Sequence, residues 1–349
     1  MMPVKTIPTG TIRIKTNLKT YQKTKTGWKE VKKEFLELTS VVKLFKSSRK
    51  FSYLVDKKDS KFLKGQLSKD GREQGARIDI LPNGKKLEKA YSLFSPHLKI
   101  HDQSSEDHWD VIYQNKGGTY SYVYTLEKRK AHRARKYKKV QKFEKSYSKL
   151  VKNVNKSLSD KNDLMALPMS TLLQTFMRVG NEIYFKAHGH KGLTTLTKND
   201  LSVKGSVVTF DYIGKDGVPI KIFHKFSNSY LKRLKLLMNE RKKNEFIFSK
   251  NGHPLHETDF KKAFVKYCGE EFYPHIVRSH HATKKVKQFL AKNKVINKEK
   301  ADKLFMSIAH DLGHKKFNKK KQQWEEHYAV TVNSYVQPEL LEKVKKRIR

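Results

Sequence analysis

The sequence predicts an α+β fold, with a small β-rich N-terminal domain and a larger, mainly helical domain that carries a β-hairpin or three-stranded insert. Short runs of β-branched and aromatic residues broken by turn residues fill roughly the first 130 positions. From Val140 onward apolar residues recur at helical spacing, and a strongly basic segment separates the two regions. The chain has 349 residues, enough for two ordinary domains, and we expect these to span 1–132 and 133–349.

The clearest local signal in the first region is a hairpin. The runs Trp109–Tyr113 and Thr119–Tyr124 are rich in β-branched and aromatic residues and flank the turn residues Lys116–Gly118. The run Thr11–Lys15 alternates apolar and polar residues and predicts another strand. The stretch from Val31 to Phe45 is the exception, because its pattern indicates a short helix.

A basic run at 127–139 carries eight Lys or Arg residues and no acid after Glu127. Such a run is typical of a solvated linker or the start of a helix. It lies between the two compositional regions, so we interpret it as the domain boundary. It is also well placed to contact a polyanion.

The second region is predicted to be helical around a β insert. Helical spacing appears from Phe143 to Val154 and again over Leu172–Met177. The runs Val207–Ile213 and Val218–Phe223 flank a Gly-Lys-Asp-Gly turn and predict the insert. Further helices are predicted at Tyr230–Met238, Asp259–Tyr267, His281–Leu290 and Ala301–Leu312.

The net charge is +42, from 76 Lys and Arg against 34 Asp and Glu. Residues 1–150 hold 36 basic and 15 acidic side chains and the remainder holds 40 and 19, so each half carries +21. A charge spread over both halves indicates that both contact one long polyanion, with DNA or RNA as the main candidates. The alternative is that a codon bias toward lysine places these charges on ordinary protein surfaces, without a polyanionic partner.

Several classes of protein are disfavoured. No apolar stretch is long enough to span a bilayer and no signal peptide is evident, so we expect an intracellular chain with no membrane partner. The single cysteine, Cys268, excludes intrachain disulfides and cysteine-cluster zinc sites. There is no phosphate-binding Gly-rich loop, no His-Glu-x-x-His and no acidic metal cluster, so no cofactor and no metal are expected. A nucleic-acid enzyme of this kind must neutralise phosphate charge with Arg, Lys and His around a protein nucleophile.

Arginine is scarce, at 13 residues against 63 lysines, and its rigid fork suits phosphate oxygens. Arg178 directly follows the apolar run Leu172–Met177, and Arg278 begins a helix beside three histidines. Arg178 could equally be structural, because it can pair with Glu182 four residues on. A single histidine is commonly structural, but three of them beside Arg278 suggest a site.

Three further positions could carry chemistry. Lys215 occupies the tip of the predicted insert hairpin, where a lysine is usually solvated but can also donate a proton. His314 follows Leu312-Gly313 at a helix C-terminus. Tyr335 lies in Ser-Tyr-Val-Gln-Pro, where a packed aromatic residue is the usual reading.

The order of these motifs is more informative than any one of them. The chain resembles the type IB DNA topoisomerases of the compact poxvirus and bacterial kind, over roughly residues 100–349. The segments that carry the resemblance are Met177–Glu182, Lys191–Leu196, Tyr212–Gly217, Val277–Thr283 and Ser334–Pro338.

The resemblance implies a reaction and a set of roles. Tyr335 would attack a DNA phosphodiester and form a 3′-phosphotyrosyl bond with a free 5′-hydroxyl. Lys215 would protonate the departing 5′-oxygen. Arg178 and Arg278 would hold the nonbridging oxygens, and His314 would hydrogen-bond another as charge develops. Covalent storage of the bond would allow religation without ATP or metal.

Three other residues are expected to contact or support DNA by the same resemblance: Tyr184, Asp216 and His275. His275 and Arg278 also form a His-x-x-Arg pattern typical of tyrosine recombinases, which share the catalytic fold. A recombinase would need specific sites and a tetramer, for which residues 339–349 could supply a helix that packs in trans. A non-catalytic DNA-packaging protein is the third alternative.

The spacing between His314 and Tyr335, 21 residues, is longer than in the compact relatives. We expect the basic insert at 315–326 to be a loop or a helix extension. It leaves Tyr328 as a rival nucleophile. The overall expectation is a monomer that closes as a two-domain clamp on duplex DNA and stays DNA-associated inside the cell or virion.

Overall fold

The computed structural model describes residues 7–101, 108–115 and 118–349. The chain divides into two compact units, Met1–Arg135 and Lys136–Arg349, and has the predicted α+β class. Within the described ranges, no helix is long and apolar enough to cross a membrane.

The N-terminal unit is built mainly from short antiparallel strands. Its elements are β1 (Ile12–Ile14), β2 (Thr20–Lys23), β3 (Trp28–Glu30), α1 (Leu36–Ser47), β4 (Gln66–Leu67), β5 (Glu73–Gln74), β6 (Ile78–Ile80), β7 (Lys86–Tyr91), β8 (Lys99–Ile100), β9 (Val111–Gln114) and β10 (Tyr120–Val123). One sheet has the order β3-β2-β1-β4-β5 and another the order β10-β9-β8, while β6 and β7 pair with each other.

The predicted hairpin of this unit is confirmed, because β9 and β10 pair antiparallel with Val111 opposite Val123. Its turn lies partly outside the described residues. The predicted helix is α1, which starts at Leu36 and buries one stripe at helical spacing against the sheets. That stripe consists of Leu38, Val41, Val42 and Phe45.

The basic run at 127–139 lies in one long helix, α2 (Leu126–Ser157), rather than in a linker. The division between the units falls within this helix. Lysine and arginine are good helix formers, and apolar residues spaced three and four apart give the helix a buried stripe. Tyr137, Val140, Phe143 and Leu150 supply that stripe in the C-terminal unit.

The C-terminal unit is mainly helical. It contains α3 (Ala166–Thr175), α4 (Glu182–His188), β11 (Leu201–Lys204), β12 (Val207–Ile213), β13 (Pro219–Lys225), α5 (Asn228–Glu240), β14 (Ser249–Lys250), β15 (His253–Pro254), α6 (Glu257–Cys268), α7 (Ile276–Lys292), α8 (Lys298–Asp311), β16 (Lys315–Asn318), β17 (Gln323–Glu326), α9 (Ala329–Ser334) and α10 (Pro338–Arg347). The predicted insert is the antiparallel sheet β11-β12-β13.

Two hydrophobic clusters hold this unit together. The larger joins α2, α3, α5 and α6 to the insert, and the smaller joins α7, α8 and α10. Tyr335 and Val336, after α9, belong to the smaller cluster. The C-terminal segment therefore packs on α7 of its own chain, with Leu340 and Val344 buried and Arg347 donating to Leu290 O.

Residues 315–326 form a hairpin, and the expectation of a loop or helix extension is wrong. β16 and β17 pair antiparallel, with Lys315 opposite Glu326 and Phe317 opposite Trp324. The aromatic residues oppose each other across the strands, an arrangement that stabilises a hairpin. Gln322 takes a left-handed backbone conformation (φ 52°) that lets the chain reverse.

Candidate active site

The C-terminal unit contains a cavity of about 130 Å³ whose wall includes four of the five predicted catalytic side chains. These are Arg178, Lys215, Arg278 and His314. The fifth, Tyr335, is hydrogen-bonded through its hydroxyl to Arg178. Residues distant in sequence thus meet at one place.

Tyr335 caps α9 and is 2% exposed. Its hydroxyl accepts a hydrogen bond from Arg178 Nη2 at 3.0 Å and lies 2.9 Å from His275 Nε2. Its ring lies 5.2 Å from the Arg278 guanidinium carbon and 4.9 Å from the His314 ring. The phenol oxygen is therefore placed among groups that stabilise negative charge.

Arg178 lies in an extended segment after α3 rather than at the end of a helix. The helix stops at Thr175 because Phe176 adopts the left-handed conformation (φ 55°). Gly180 and Gly192 then allow the two segments that contain them to approach closely. Leu193 N donates to Arg178 O at 2.8 Å across this contact. A Cβ on Gly192 would lie 2.7 Å from that carbonyl oxygen, so a side chain there would displace Arg178.

Arg278 lies in the first turn of α7 and is 2% exposed. It donates to the carbonyl oxygens of Phe176 and Leu312, at 2.5 and 2.8 Å, and to His314 Nε2 at 3.0 Å. Its buried Nε has no hydrogen-bond partner among the described residues. Burial lowers the pKa of Arg278. A buried guanidinium with an unsatisfied donor favours an anion as ligand.

His314 has a defined tautomer. Burial, with Arg278 and Arg178 nearby, lowers the pKa of His314 to about 3, so the ring is neutral at pH 7. Because Arg278 can only donate, Nε2 accepts and the ring proton lies on Nδ1. That Nδ1 is 2.7 Å from Thr331 Oγ1, a fully buried hydroxyl that can donate or accept.

His275, at the N-terminus of α7, contacts the Tyr335 hydroxyl. Burial, followed by the charges of Arg278 and Arg178, lowers the pKa of His275 to about 3. The Tyr335 oxygen already accepts from Arg178, and its proton can be donated to Nε2 of a neutral His275. His275 Nε2 is therefore placed to accept the proton of the Tyr335 hydroxyl.

Lys215 is exposed and lies on a helical turn between β12 and β13, at the rim of the cavity. It has no ion pair with any residue that the structure describes, so its ammonium can meet a ligand. Asp216 is also exposed at the rim and takes a left-handed conformation (φ 62°). Tyr184 lies on α4, is 53% exposed and does not line the cavity.

Sequence reasoning missed several members of the site. Lys136 donates to Ser334 O and lies 5.3 Å from the Tyr335 ring, although only its place in a basic run drew notice. Lys191 lines the cavity and is bound to Asp200 at 2.7 Å. Thr331 and Phe176 contribute through His314 and Arg278. Lys191 begins a segment that carries the family resemblance, but nothing in the sequence assigned it a role in the site. No sequence signal distinguished Thr331 or Phe176, because their contacts are made across the fold.

The rival nucleophile Tyr328 has a different environment. Its hydroxyl donates to Asp302 Oδ1 at 2.7 Å, and this hydrogen bond raises the pKa of Tyr328. Its ring packs near Phe305. A raised pKa makes the phenol a poorer source of the phenolate nucleophile.

The two neutral histidines predict a pH-dependent stability. In the unfolded chain the two histidines have a pKa near 6.5, whereas in the folded protein the pKa of His275 and His314 is lowered to about 3. Between these two pH values the unfolded state therefore binds more protons than the folded state. The free energy of unfolding should fall as the pH drops from 6.5 toward 3, by up to about 1.4 kcal/mol per pH unit for each histidine. Urea unfolding between pH 7 and pH 5 measures this.

Substituting both histidines with Asn provides the control for this prediction. The double variant should have a shallower pH slope than the wild type, although the buried His280, whose pKa is lowered to about 4, keeps part of it. An identical slope in both proteins would contradict neutral His275 and His314.

Within the described ranges, no three His, Cys, Asp or Glu side chains are arranged to hold a metal ion.

Comparisons with known proteins indicate the family of the chain. The profile of the eukaryotic DNA topoisomerase I catalytic core matches residues 126–346, well over half of the chain. DNA topoisomerase 1B of vaccinia virus is 31% identical over 103 residues, which cover 28% of this chain and 32% of that protein. DNA topoisomerase 1B of Acanthamoeba polyphaga mimivirus is 25% identical over 148 residues, covering 39% of this chain and 44% of that protein. The matches thus span less than half the length of these relatives.

Among solved structures, the XerH site-specific recombinase bound to difH substrate in a pre-cleavage complex is similar over 51% of this chain and 50% of that one. The identity is 18% and the TM-score 0.34. The profile match covers every residue of the cavity described above and also α2, which supplies Lys136. On this evidence the chain belongs to the family of the eukaryotic DNA topoisomerase I catalytic core.

Proposed function

We propose that this protein is a type IB DNA topoisomerase, which relaxes supercoiled duplex DNA by transient single-strand cleavage through a 3′-phosphotyrosyl intermediate. The observation that carries the proposal is the Tyr335 hydroxyl, bonded to Arg178 and His275 beside a cavity lined by Arg278, His314 and Lys215. Family membership supports the same reaction class.

Cleavage begins with attack of Tyr335 Oη on a backbone phosphorus. His275 takes the phenol proton on Nε2, which its neutral state leaves free to accept. Arg178, 3.0 Å from the same oxygen, stabilises the developing phenolate. This gives His275 a role in proton transfer in addition to the expected contact with DNA.

Arg278 and His314 stabilise the phosphoryl group in the transition state. In the free protein Arg278 donates to His314 Nε2, and the phosphate would take over that guanidinium donor. His314 can then carry its proton on Nε2 and donate to a nonbridging oxygen, because the Thr331 hydroxyl can reverse and donate to Nδ1. A hydroxyl partner allows both tautomers.

Lys215 is the proposed general acid. Its exposed ammonium on the turn between β12 and β13 can reach a bound strand and protonate the 5′-oxygen as the P–O bond breaks. In religation the 5′-hydroxyl returns that proton and attacks the phosphotyrosine. One phosphodiester bond is exchanged for one phosphotyrosyl bond and then restored, so no step needs ATP.

The proposed partner is double-stranded DNA, bound by a monomer. The N-terminal domain, 1–132, is proposed to contact one face of the duplex, with Tyr184 and Asp216 as contacts from the catalytic domain. Support comes from the +21 charge on each half of the chain. Exposure of Tyr184 and Asp216 is compatible with such contacts.

The recombinase alternative has one observation in its favour, the contact of His275 with Tyr335 within the His-x-x-Arg pattern. Against it, the segment expected to pack in trans is α10, whose Leu340 and Val344 are buried on α7 of the same chain. A recombinase would exchange strands between two defined sites, which a topoisomerase does not.

Relaxation of supercoiled plasmid in EDTA, without ATP, tests the proposal. The wild type should relax the plasmid, and denaturation during the reaction should trap a covalent adduct on a 3′ end. DNA binding without relaxation would favour a packaging protein, and recombination between two sites would favour the recombinase. Either result would overturn the proposed activity.

A further inference from the structure

The hairpin β16–β17, residues 315–326, is a structural feature that the proposed reaction does not use. It connects His314, on the cavity wall, to the segment that leads to Tyr335. Both of its ends are fixed at the active site, because His327 N donates to His314 O at 3.2 Å and Lys315 Nζ donates to Pro219 O at 2.8 Å. Pro219 begins β13, directly after the turn that carries Lys215.

The hairpin is strongly and unevenly charged. It contains five lysines and two glutamates. Both glutamates lie near the base and are engaged: Glu325 is bonded to Asn318 and Lys321, contacts that lower its pKa to about 2, and Glu326 is bonded to His310.

Three further lysines lie along the hairpin: Lys316 in β16, opposite Glu325, and Lys319 and Lys320 at the tip. Lys316, Lys319 and Lys320 are exposed and have no ion-pair partner among the residues that the structure describes. Glu325 offsets part of the charge of Lys316, but the hairpin holds five lysines against two glutamates, so its net field attracts a polyanion.

An aromatic pair also stabilises the hairpin. Phe317 and Trp324 face each other across the strands with ring centroids 5.4 Å apart in an edge-to-face contact. Such a pair adds about 0.5–1.5 kcal/mol beyond area burial. Four residues of β16 at about 3.3 Å each carry the tip roughly 13 Å from the cavity.

We propose that this hairpin is a second DNA-contacting element, whose exposed lysines Lys316, Lys319 and Lys320 bind backbone phosphates of the duplex next to the scissile phosphate. The inference rests on the proposed function for the position of the DNA. At about 3.4 Å per base pair, a reach of roughly 13 Å places the contact within about four base pairs of the cleavage site.

The test compares two triple variants, both in a Tyr335→Phe background so that binding is measured without cleavage. The tip variant carries Lys316→Gln, Lys319→Gln and Lys320→Gln. The control carries Lys292→Gln, Lys294→Gln and Lys298→Gln, exposed lysines at the C-terminal end of α7, in the loop after it and at the start of α8. About 21 Å of helix separates Lys292 from Arg278, and the charge change is the same.

The dissociation constant for a duplex is measured against salt concentration. Each phosphate contact contributes about 0.9 to the slope of log Kd against log salt, so the tip variant should lose about 2 to 3 from its slope. We expect its affinity near 0.1 M salt to drop on the order of tenfold or more, while the control keeps the parent slope. Equal slope losses in the two triples would overturn the proposal.

Shortening the duplex tests the location. With the cleavage site mapped from the covalent adduct, base pairs are removed from one side and then from the other. The difference between tip variant and parent should vanish when one particular side retains fewer than about four base pairs. A difference that survives truncation on both sides would overturn the assigned position. If no adduct forms, the proposed reaction fails, while the salt slopes still decide whether the hairpin binds DNA.

Discussion

Tyr335→Phe is expected to abolish plasmid relaxation, with a rate loss of at least about 10⁴-fold, because the substitution removes the nucleophilic oxygen and leaves the remaining site in place. The hydroxyl is buried and bonded to Arg178 and His275, so its loss should cost about 1 kcal/mol of stability and leave the fold intact. Relaxation across an enzyme dilution series, with trapping of the covalent adduct, measures the effect.

Tyr328→Phe is the matched control, since it removes one phenol hydroxyl seven residues away in the chain. It breaks only the bond to Asp302 and should leave relaxation within a few-fold of the wild type. The reverse pattern, with activity lost in Tyr328→Phe and kept in Tyr335→Phe, would move the nucleophile to Tyr328.

Arg278→Lys is the second substitution with a large expected effect. Lysine keeps the charge but cannot reach Phe176 O, Leu312 O and His314 together, so the cation loses its fixed direction toward the phosphate. We expect the rate of single-turnover cleavage to fall by about 10²–10³-fold, on the scale of one lost transition-state donor. DNA affinity should change far less, because the lost contact develops with the transition state.

Arg233→Lys separates this chemistry from simple structural damage. Arg233 also donates to two backbone carbonyls, those of Ser157 and Asp163, and it does not line the cavity. Both variants should lower the unfolding temperature to a similar degree, but only Arg278→Lys should slow cleavage. Comparable slowing in both would show that the loss reflects stability rather than a phosphate contact.

Much of the architecture follows from local patterns. The insert sheet, the hairpin β9–β10 and the helices α2, α3, α5, α6, α7 and α8 have local sequence signals that predict them, and the structure contains them. The short helices α4 and α9 were not predicted. The hairpin at 315–326 was not predicted, because its lysine-rich composition hid a period of two whose only apolar members are Phe317 and Trp324. The left-handed turn at Phe176 was also missed, since nothing at that position requires it locally.

The site was predictable as a set of residues but not as a geometry. The motif order selected Arg178, Lys215, Arg278, His314 and Tyr335. The structure places the first four on the wall of one cavity and bonds the Tyr335 hydroxyl to Arg178. That Arg278 is held by two carbonyls, and that Thr331 contacts His314, depends on contacts across 102, 34 and 17 residues of chain. Such partners are set by packing, which leaves no periodic trace in sequence.

The contact between Arg178 and Tyr335 joins residues 157 positions apart, and its consequence concerns synthesis on the ribosome. At about 5–20 residues per second, several seconds pass between emergence of Arg278 and emergence of Tyr335. During that interval the nascent chain contains the cations proposed to bind phosphate but not the proposed nucleophile. Under the proposed mechanism, a growing polypeptide would contact nearby nucleic acid before it gained the capacity to break a strand.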